Sequence, residues 1–138
     1  MSWYREFSYS GTAGTDIHDV TADLRDAVRE WGVEEGVAVV FAPGSTAAVT
    51  MIEYEPGVLE DLKRAIEKIA PASLDYAHNA AWGDGNGYSH VRSALLGPSV
   101  SIPVHEGDLV LGTWQQVVLL DFDNKSRRRR LVLQVLGE

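Results

Sequence analysis

The run Gly36–Ala42 reads Gly-Val-Ala-Val-Val-Phe-Ala and constrains this chain more than any other segment. It holds no charge and no hydrogen-bonding side chain. A strand of that kind is expected to be covered on both faces, so the remaining sequence must supply layers on either side of it. Two helical stripes are available. Leu24, Ala27, Val28 and Trp31 recur at three- and four-residue spacing, with Thr21 placed as N-cap, Asp23 in the first turn and Gly32 as the stop. Leu59, Leu62, Ile66 and Ile69 form a second stripe, opened by Pro56 and closed by Pro71.

The other apolar runs read as strands. Trp3–Ser10 alternates and is rich in aromatics. Gly11–Gly14 is its turn, and Thr15–Val20 is expected to pair back on it as a hairpin. Pro43-Gly44 breaks the central strand before a half-polar strand at Thr46–Glu53. Ala72–Tyr88 is Gly-rich and irregular, and a loop of that length is usually functional or disordered. Ser89–Leu96 alternates, which predicts a strand with His90 and Arg92 on one face. Ser99–Val104, Leu109–Phe122 and Arg127–Leu136 complete the set. Strand runs of unequal length with two helices predict an α+β fold with largely antiparallel sheets. The length, 138 residues, predicts one domain over residues 1–138.

Charge and composition remove several functions. The net charge is −8, and the first 124 residues carry 7 basic against 19 acidic side chains. Such a body opposes a phosphate backbone, so nucleic acid is not the expected partner. The basic cluster Lys125, Arg127–Arg130 is expected to be a solvated sheet edge that discourages aggregation. No cysteine is present, which excludes disulfides, thiolate metal sites and a Cys nucleophile. No apolar run approaches the ~18 residues of a membrane span. Met1–Ser10 lacks the apolar region of a signal peptide. A cytoplasmic protein without membrane partners is the expectation.

Chemistry must come from polar side chains around the Gly-rich segment. His78 and His90 lie 12 residues apart, with Asp84 and Asn86 between them. Imidazoles and a carboxylate suit zinc or a similar divalent ion where thiolates are absent. An EF-hand is excluded, because Leu95 stands where its twelfth-position Glu should be. The segment also lacks the Lys-Ser/Thr of a P-loop and the GxGxxG spacing. Arg92 could hold a phosphate or carboxylate bidentately. Ser45 and Thr46 offer hydroxyls at a strand break, where an anion could bind. Glu53 is a candidate base or ligand. Gly112 interrupts an apolar run, and of Gln115 and Gln116 at least one should face a polar cavity or a subunit contact. His18 lies in a candidate strand and His105 in a turn, neither belongs to a cluster of candidate site residues, and both read as structural or solvated.

Several blocks occur in a characteristic order. They are Thr46-Ala47-Ala48-Val49-Thr50 with Glu53, Leu59-Glu60-Asp61-Leu62, Tyr76-Ala77-His78-Asn79 and Asp84-Gly85-Asn86-Gly87-Tyr88-Ser89-His90. Ser93-Ala94-Leu95-Leu96-Gly97-Pro98-Ser99 and Leu111-Gly112-Thr113-Trp114-Gln115-Gln116 follow. With this set the chain resembles the YjbQ-like family over nearly its whole length. Members of that family are often labelled secondary thiamine-phosphate synthase. The resemblance implies sandwiched sheets, a homotrimer and a polar, histidine-containing pocket that binds a metal such as zinc or magnesium. It implies a reaction joining hydroxymethylpyrimidine diphosphate to thiazole phosphate. On it, His78 and His90 match two family histidines and are the metal candidates, while Asp84 matches an acidic position and Glu53 the carboxylate of an Asn-Glu pair. With Arg92 as a helper read from its own place near His90, Glu53, Asp84 and Arg92 are the catalytic candidates. Ser45, Thr46, Asn86 and Gln115 are the candidates for holding a small phosphorylated substrate. Two positions depart from the pattern. Gly44 stands where a third histidine is usual, and Ile52 replaces the Asn of an Asn-Glu pair. The departures imply an alternative, a catalytically degenerate trimer that binds a small anion or a partner.

Overall fold

A computed structural model describes residues 1–138. Eight strands build two antiparallel sheets. The larger has the order β1-β8-β3-β5-β6 and the smaller β2-β7-β4. The strands are β1 (Ser2–Ser10), β2 (Asp16–Asp19), β3 (Glu35–Phe41), β4 (Ala47–Ile52), β5 (Ser99–His105), β6 (Asp108–Leu109), β7 (Gln116–Asp121) and β8 (Arg128–Gly137). The helices are α1 (Thr21–Trp31), α2 (Pro56–Ile69), α3 (Ala77–Trp82) and α4 (Gly87–Leu96). The expected α+β class with antiparallel sheets is therefore present, with four helices in place of two. No helix is long and apolar enough to cross a membrane.

Two cores stack on either side of the smaller sheet. In one, Ala38, Val40, Ile102, Leu131, Leu133 and Val135 of the larger sheet meet Leu24, Ala27 and Val28 of α1 and Val49, Val117 and Leu119 of the smaller sheet. In the other, Ala48, Val118 and Leu120 meet Ile66 of α2, with Leu59, Leu62 and Leu96 packed around them. The strands covered on both faces are thus β7 and β4, whose successive residues enter alternate cores. β3, which holds most of the Gly36–Ala42 run expected to be covered on both faces, is covered on one face alone. Val39 and Phe41 of β3 point outward and are exposed. Continuous hydrophobicity in β3 marks a strand central in its sheet, with one open face.

Other expectations change for local reasons. The segment Thr15–Val20 does not pair with β1. β1 pairs with β8, and β2 pairs with β7. Thr21 is not the N-cap of α1. Its backbone N–H donates to Asp19 Oδ1, while its hydroxyl oxygen accepts from the Val117 N–H at 2.8 Å and so ties α1 to β7. The predicted strand Leu109–Phe122 divides into β6 and β7 around a turn in which Gln115 Oε1 accepts from the Gly112 N–H. Ser89–Leu96 is helical. Its inward residues are Tyr88, Ser89, Arg92 and Ser93, a helical spacing, but three of them are polar. Val91 and Leu95, the apolar residues of the alternating pattern, are exposed. A hydrophobic pattern misleads where a helix buries its polar side chains.

Glycine is required where β3 crosses β8. Gly36 and Gly137 are register partners. A Cβ on Gly36 would lie 2.2 Å from the Leu136 carbonyl oxygen, and one on Gly137 would lie 2.1 Å from the Glu35 carbonyl oxygen. Both obstacles are backbone, which cannot swing aside. Gly36→Ala should cost at least about 1–3 kcal/mol, the range for overpacking a tight site. A lowered urea midpoint checks this, and an unchanged midpoint contradicts it.

Candidate functional site

The site forms where four segments meet: the loop before β4, the end of β7, the start of β8 and the α3–α4 junction. Gly87 allows the junction to close. A Cβ there would lie 2.5 Å from the Tyr76 Cβ, and its N–H donates to Asn79 Oδ1 at 2.9 Å. Asn86 is buried, with Oδ1 accepting from the Ser89 hydroxyl at 2.5 Å and from the Asn124 N–H at 3.3 Å. These contacts hold the start of α4 against the β7–β8 turn. The result is a solvent-open cleft of about 290 Å³ with no hydrophobic lining residue.

One wall is a network of charges. Arg129 Nη2 donates to Asp121 Oδ1 at 2.8 Å and to the Thr46 hydroxyl oxygen. The Thr46 hydroxyl in turn donates to Asp123 Oδ2 at 3.0 Å, and Arg127 Nε donates to the same oxygen at 2.7 Å. Asp121 and Asp123 are fully buried. Burial alone pushes the Asp123 carboxyl up. Hydrogen bonds from Arg127, Thr46 and the Lys125 amide, with the Arg127 charge, outweigh it and hold the carboxyl below the usual carboxylate range. Arg129 Nε and Asp121 Oδ2 have no hydrogen-bond partner in the chain. Gly44 and Ser45 complete this wall.

The opposite wall carries the histidines. His90 lines the cleft with Asp84 and Asn86. The His78 ring lies behind His90, with centroids 4.4 Å apart. His78 Nδ1 is buried, lacks a hydrogen-bond partner and sits 3.6 Å from Asp84 Oδ1. Two imidazoles and a carboxylate are donors that a divalent ion accepts. Yet no three His, Asp or Glu side chains of the chain converge closely enough to hold one. The residues therefore do not form a complete metal centre by themselves. A Cβ at Gly44 would touch Arg129 Nη1 at 3.4 Å.

Ser45, Thr46, Asp84, Asn86 and His90 thus share one cleft, with His78 beside it. Three other candidates lie elsewhere. Glu53 lines a separate cavity with Asp19, Tyr54, Glu55, Trp114 and Gln116. Gln115 closes its own turn. Arg92 is buried and fully engaged. Its Nε donates to the Ala70 carbonyl at 2.9 Å and its Nη1 to the Thr15 hydroxyl at 3.1 Å, while Nη2 meets Glu67. Residues two apart on a strand share a face, but on a helix they diverge by about 200°, so His90 and Arg92 part company once Ser89–Leu96 is helical. Arg92→Leu should destabilise the fold by about 1–3 kcal/mol through lost buried hydrogen bonds. A lowered urea midpoint is the check, and an unchanged midpoint contradicts it.

Sequence reasoning missed Asp121, Asp123, Arg127 and Arg129 as site residues. The cluster is no sheet edge, since β8 lies between β1 and β3. The signal was present as two acids two apart, at and just past the end of β7, and two arginines two apart, just before and just inside β8. Same-parity residues face one side.

A family model described as UPF0047 protein YjbQ-like matches residues 5–138. The chain belongs to the YjbQ-like UPF0047 family. A UPF0047 protein of Archaeoglobus fulgidus is 36% identical over 121 residues, which cover 88% of this chain and 91% of that protein. One from Mycobacterium tuberculosis is 38% identical, covering 86% and 95%. The crystal structure of a YbjQ-like protein of unknown function from Sulfolobus solfataricus superposes with a TM-score of 0.95 at 30% identity, covering 100% of this chain and 99% of that one. The sandwiched arrangement of this YjbQ-like chain is therefore that of its structural neighbours.

Proposed function

We propose that this YjbQ-like protein binds a small phosphorylated molecule in the cleft between Arg129 and His90. One observation carries the reading. Two guanidinium groups, Arg127 and Arg129, and the hydroxyls of Ser45 and Thr46 share a cleft without apolar lining. Such groups recognise phosphate oxygens through charge-assisted hydrogen bonds. Backbone and side-chain bonds already hold Thr46 and both arginines in place, so little ordering is needed when an anion arrives.

The reaction assigned to this cleft is the thiamine-phosphate synthase type. The thiazole nitrogen attacks the methylene carbon of hydroxymethylpyrimidine diphosphate. The new C–N bond forms as the C–O bond to diphosphate breaks, and pyrophosphate leaves with the electron pair. Arg127, Arg129 and Thr46 would stabilise the charge that develops on the leaving group. A divalent ion would add to that stabilisation, with His78, His90 and Asp84 as its nearest donors. The three do not converge, so no step is assigned to an ion. We further propose that the chain works in the cytoplasm as a homotrimer.

The second reading is a binder without catalysis, favoured by Gly44 and Ile52. Incubation with both precursors separates the two. Formation of thiamine phosphate and pyrophosphate supports the enzyme. Saturable pyrophosphate binding without product, with divalent ions supplied, supports the binder.

A further inference from the structure

β1 is an edge of the larger sheet, and its hydrogen bonds fix which of its residues face outward. Met1 and Gly137 exchange N–H···O=C bonds at 3.1 Å, and the Gly11 N–H donates to the Arg127 carbonyl. In an antiparallel pair such bonds alternate, so the odd-numbered residues of β1 are the ones that bond to β8. Ser2, Tyr4, Glu6, Ser8 and Ser10 then turn their N–H and C=O groups away from the sheet, and no other strand takes them. The other edge strands are shorter: β6 has 2 residues, β2 has 4 and β4 has 6, against 9 in β1. Proteins usually blunt a long edge with proline, lysine or a bulge. β1 has no proline or lysine, and it pairs with β8 without a bulge from Ser2 to Ser10.

The core is also left open along this edge. Leu131, Leu133 and Val135 of β8 are fully buried, whereas Trp3, Phe7 and Tyr9, beside them in β1, are only half-buried. Above this row α1 presents Asp23, Asp26 and Glu30, whose spacing puts them on one helix face. The Tyr9 hydroxyl donates to Asp23 Oδ2 at 2.6 Å. Glu30 accepts from the Arg5 guanidinium, which lies 5.1 Å over the Trp31 ring. Arg5 shows within the chain how a basic side chain fits this seam. Its guanidinium lies on an aromatic ring and meets a carboxylate of α1. Asp26, between the two engaged acids, is exposed and its carboxylate is free.

We infer that β1 is a strand-addition site for an extended basic peptide, a partner segment with Lys or Arg at alternate positions. The segment pairs antiparallel with β1 through the outward N–H and C=O groups. Its residues opposite Trp3, Arg5, Phe7 and Tyr9 point to the α1 side. There the aliphatic stems cover the aromatic rings and the charged heads meet Asp23 and Asp26. A second copy of β1 fits poorly, because full antiparallel register would set Glu6 against Glu6 and bring two acidic faces of α1 together. None of these residues lines the histidine–arginine cleft, so the inference does not rest on the proposed function.

The test titrates protein into a fluorescein-labelled peptide, Thr-Lys-Thr-Lys-Thr-Lys-Thr, and follows anisotropy. Antiparallel register aims the Thr N–H groups at β1 and the Lys N–H groups at solvent. Saturable binding of one peptide per chain is expected. Exchange of every Lys for Glu, or N-methylation of the Thr amides, should weaken it by about tenfold or more. N-methylation of the Lys amides should leave it within about threefold. Ser8→Pro removes an outward N–H that no group of the chain accepts, so the urea midpoint should stay near that of the wild type. The same variant should weaken peptide binding by about tenfold or more. Should Ser8→Pro fail to fold, the N-methylated peptides decide the matter on wild-type protein. Three results would each overturn the inference: no saturable binding, equal binding of the Glu peptide, or indifference to N-methylation of the Thr amides. A folded Ser8→Pro variant that binds like wild type would do the same. So would a smaller assembly of that variant in light scattering, which would place a second copy on the edge.

Discussion

Asp121→Ala is expected to destabilise the protein by about 3–5 kcal/mol, the cost of leaving one partner of a buried ion pair uncompensated. Asp121 is fully buried and only 11% of the Arg129 side chain is exposed, so water cannot replace the lost carboxylate. Asp123 lies 3.6 Å from Arg129 Nη2 and is already committed to Arg127 and Thr46, so it substitutes poorly. The urea midpoint should fall while the m-value stays constant. A loss below 1 kcal/mol would show that the network is solvated. The same network predicts an acid limb. The Asp123 carboxyl is held below its unfolded value, so its contribution is fully present above about pH 4 and is lost as pH falls through the folded value. Asp123→Asn should flatten that limb, as read by stability measured from pH 6 downwards.

The second large effect concerns binding. Arg129→Gln removes a charge that both holds Asp121 and faces the proposed anion. Hydrogen bonds to charged groups contribute about 1.5–3 kcal/mol, so pyrophosphate affinity should fall by about 10- to 150-fold. Because Arg129→Gln also strands Asp121, Arg129→Lys is the informative companion. It keeps the charge near Asp121 and loses the planar fork. It should retain most of the stability and still lose at least about tenfold in affinity. Equal losses of stability and binding in both variants would mean that Arg129 acts only through the fold.

Much of the fold was legible because apolar residues faced inward. The α1 stripe Leu24, Ala27 and Val28 and the alternation of β8 each led to the element observed. Pairing was less legible. Nothing local says that β1 seeks β8, more than 110 residues later, before β2 beside it. At α4 the sequence pattern failed for a physical reason, since the buried side chains of Ser89, Arg92 and Ser93 donate to the backbone carbonyls of Asn86, Ala70 and Ala47. The candidate site followed the same rule. His90, Asp84 and Asn86 were found through their spacing around glycines. Asp121 was hidden inside an apolar strand, Asp123 in the turn that follows it, and Arg127 and Arg129 in a run of basic residues that reads as solvated surface. A buried ion pair is visible only when both halves are seen together. The expectation for Arg92 depended on the wrong period, and a helix turns that side chain toward Glu67 and away from the cleft.

The most direct test of the central claim is calorimetric titration of inorganic pyrophosphate into the wild-type protein and Arg129→Lys. Saturable binding at one site per chain, weakened at least about tenfold by the substitution, is the predicted result. No saturable binding to wild type, or equal affinity in the variant, would contradict it.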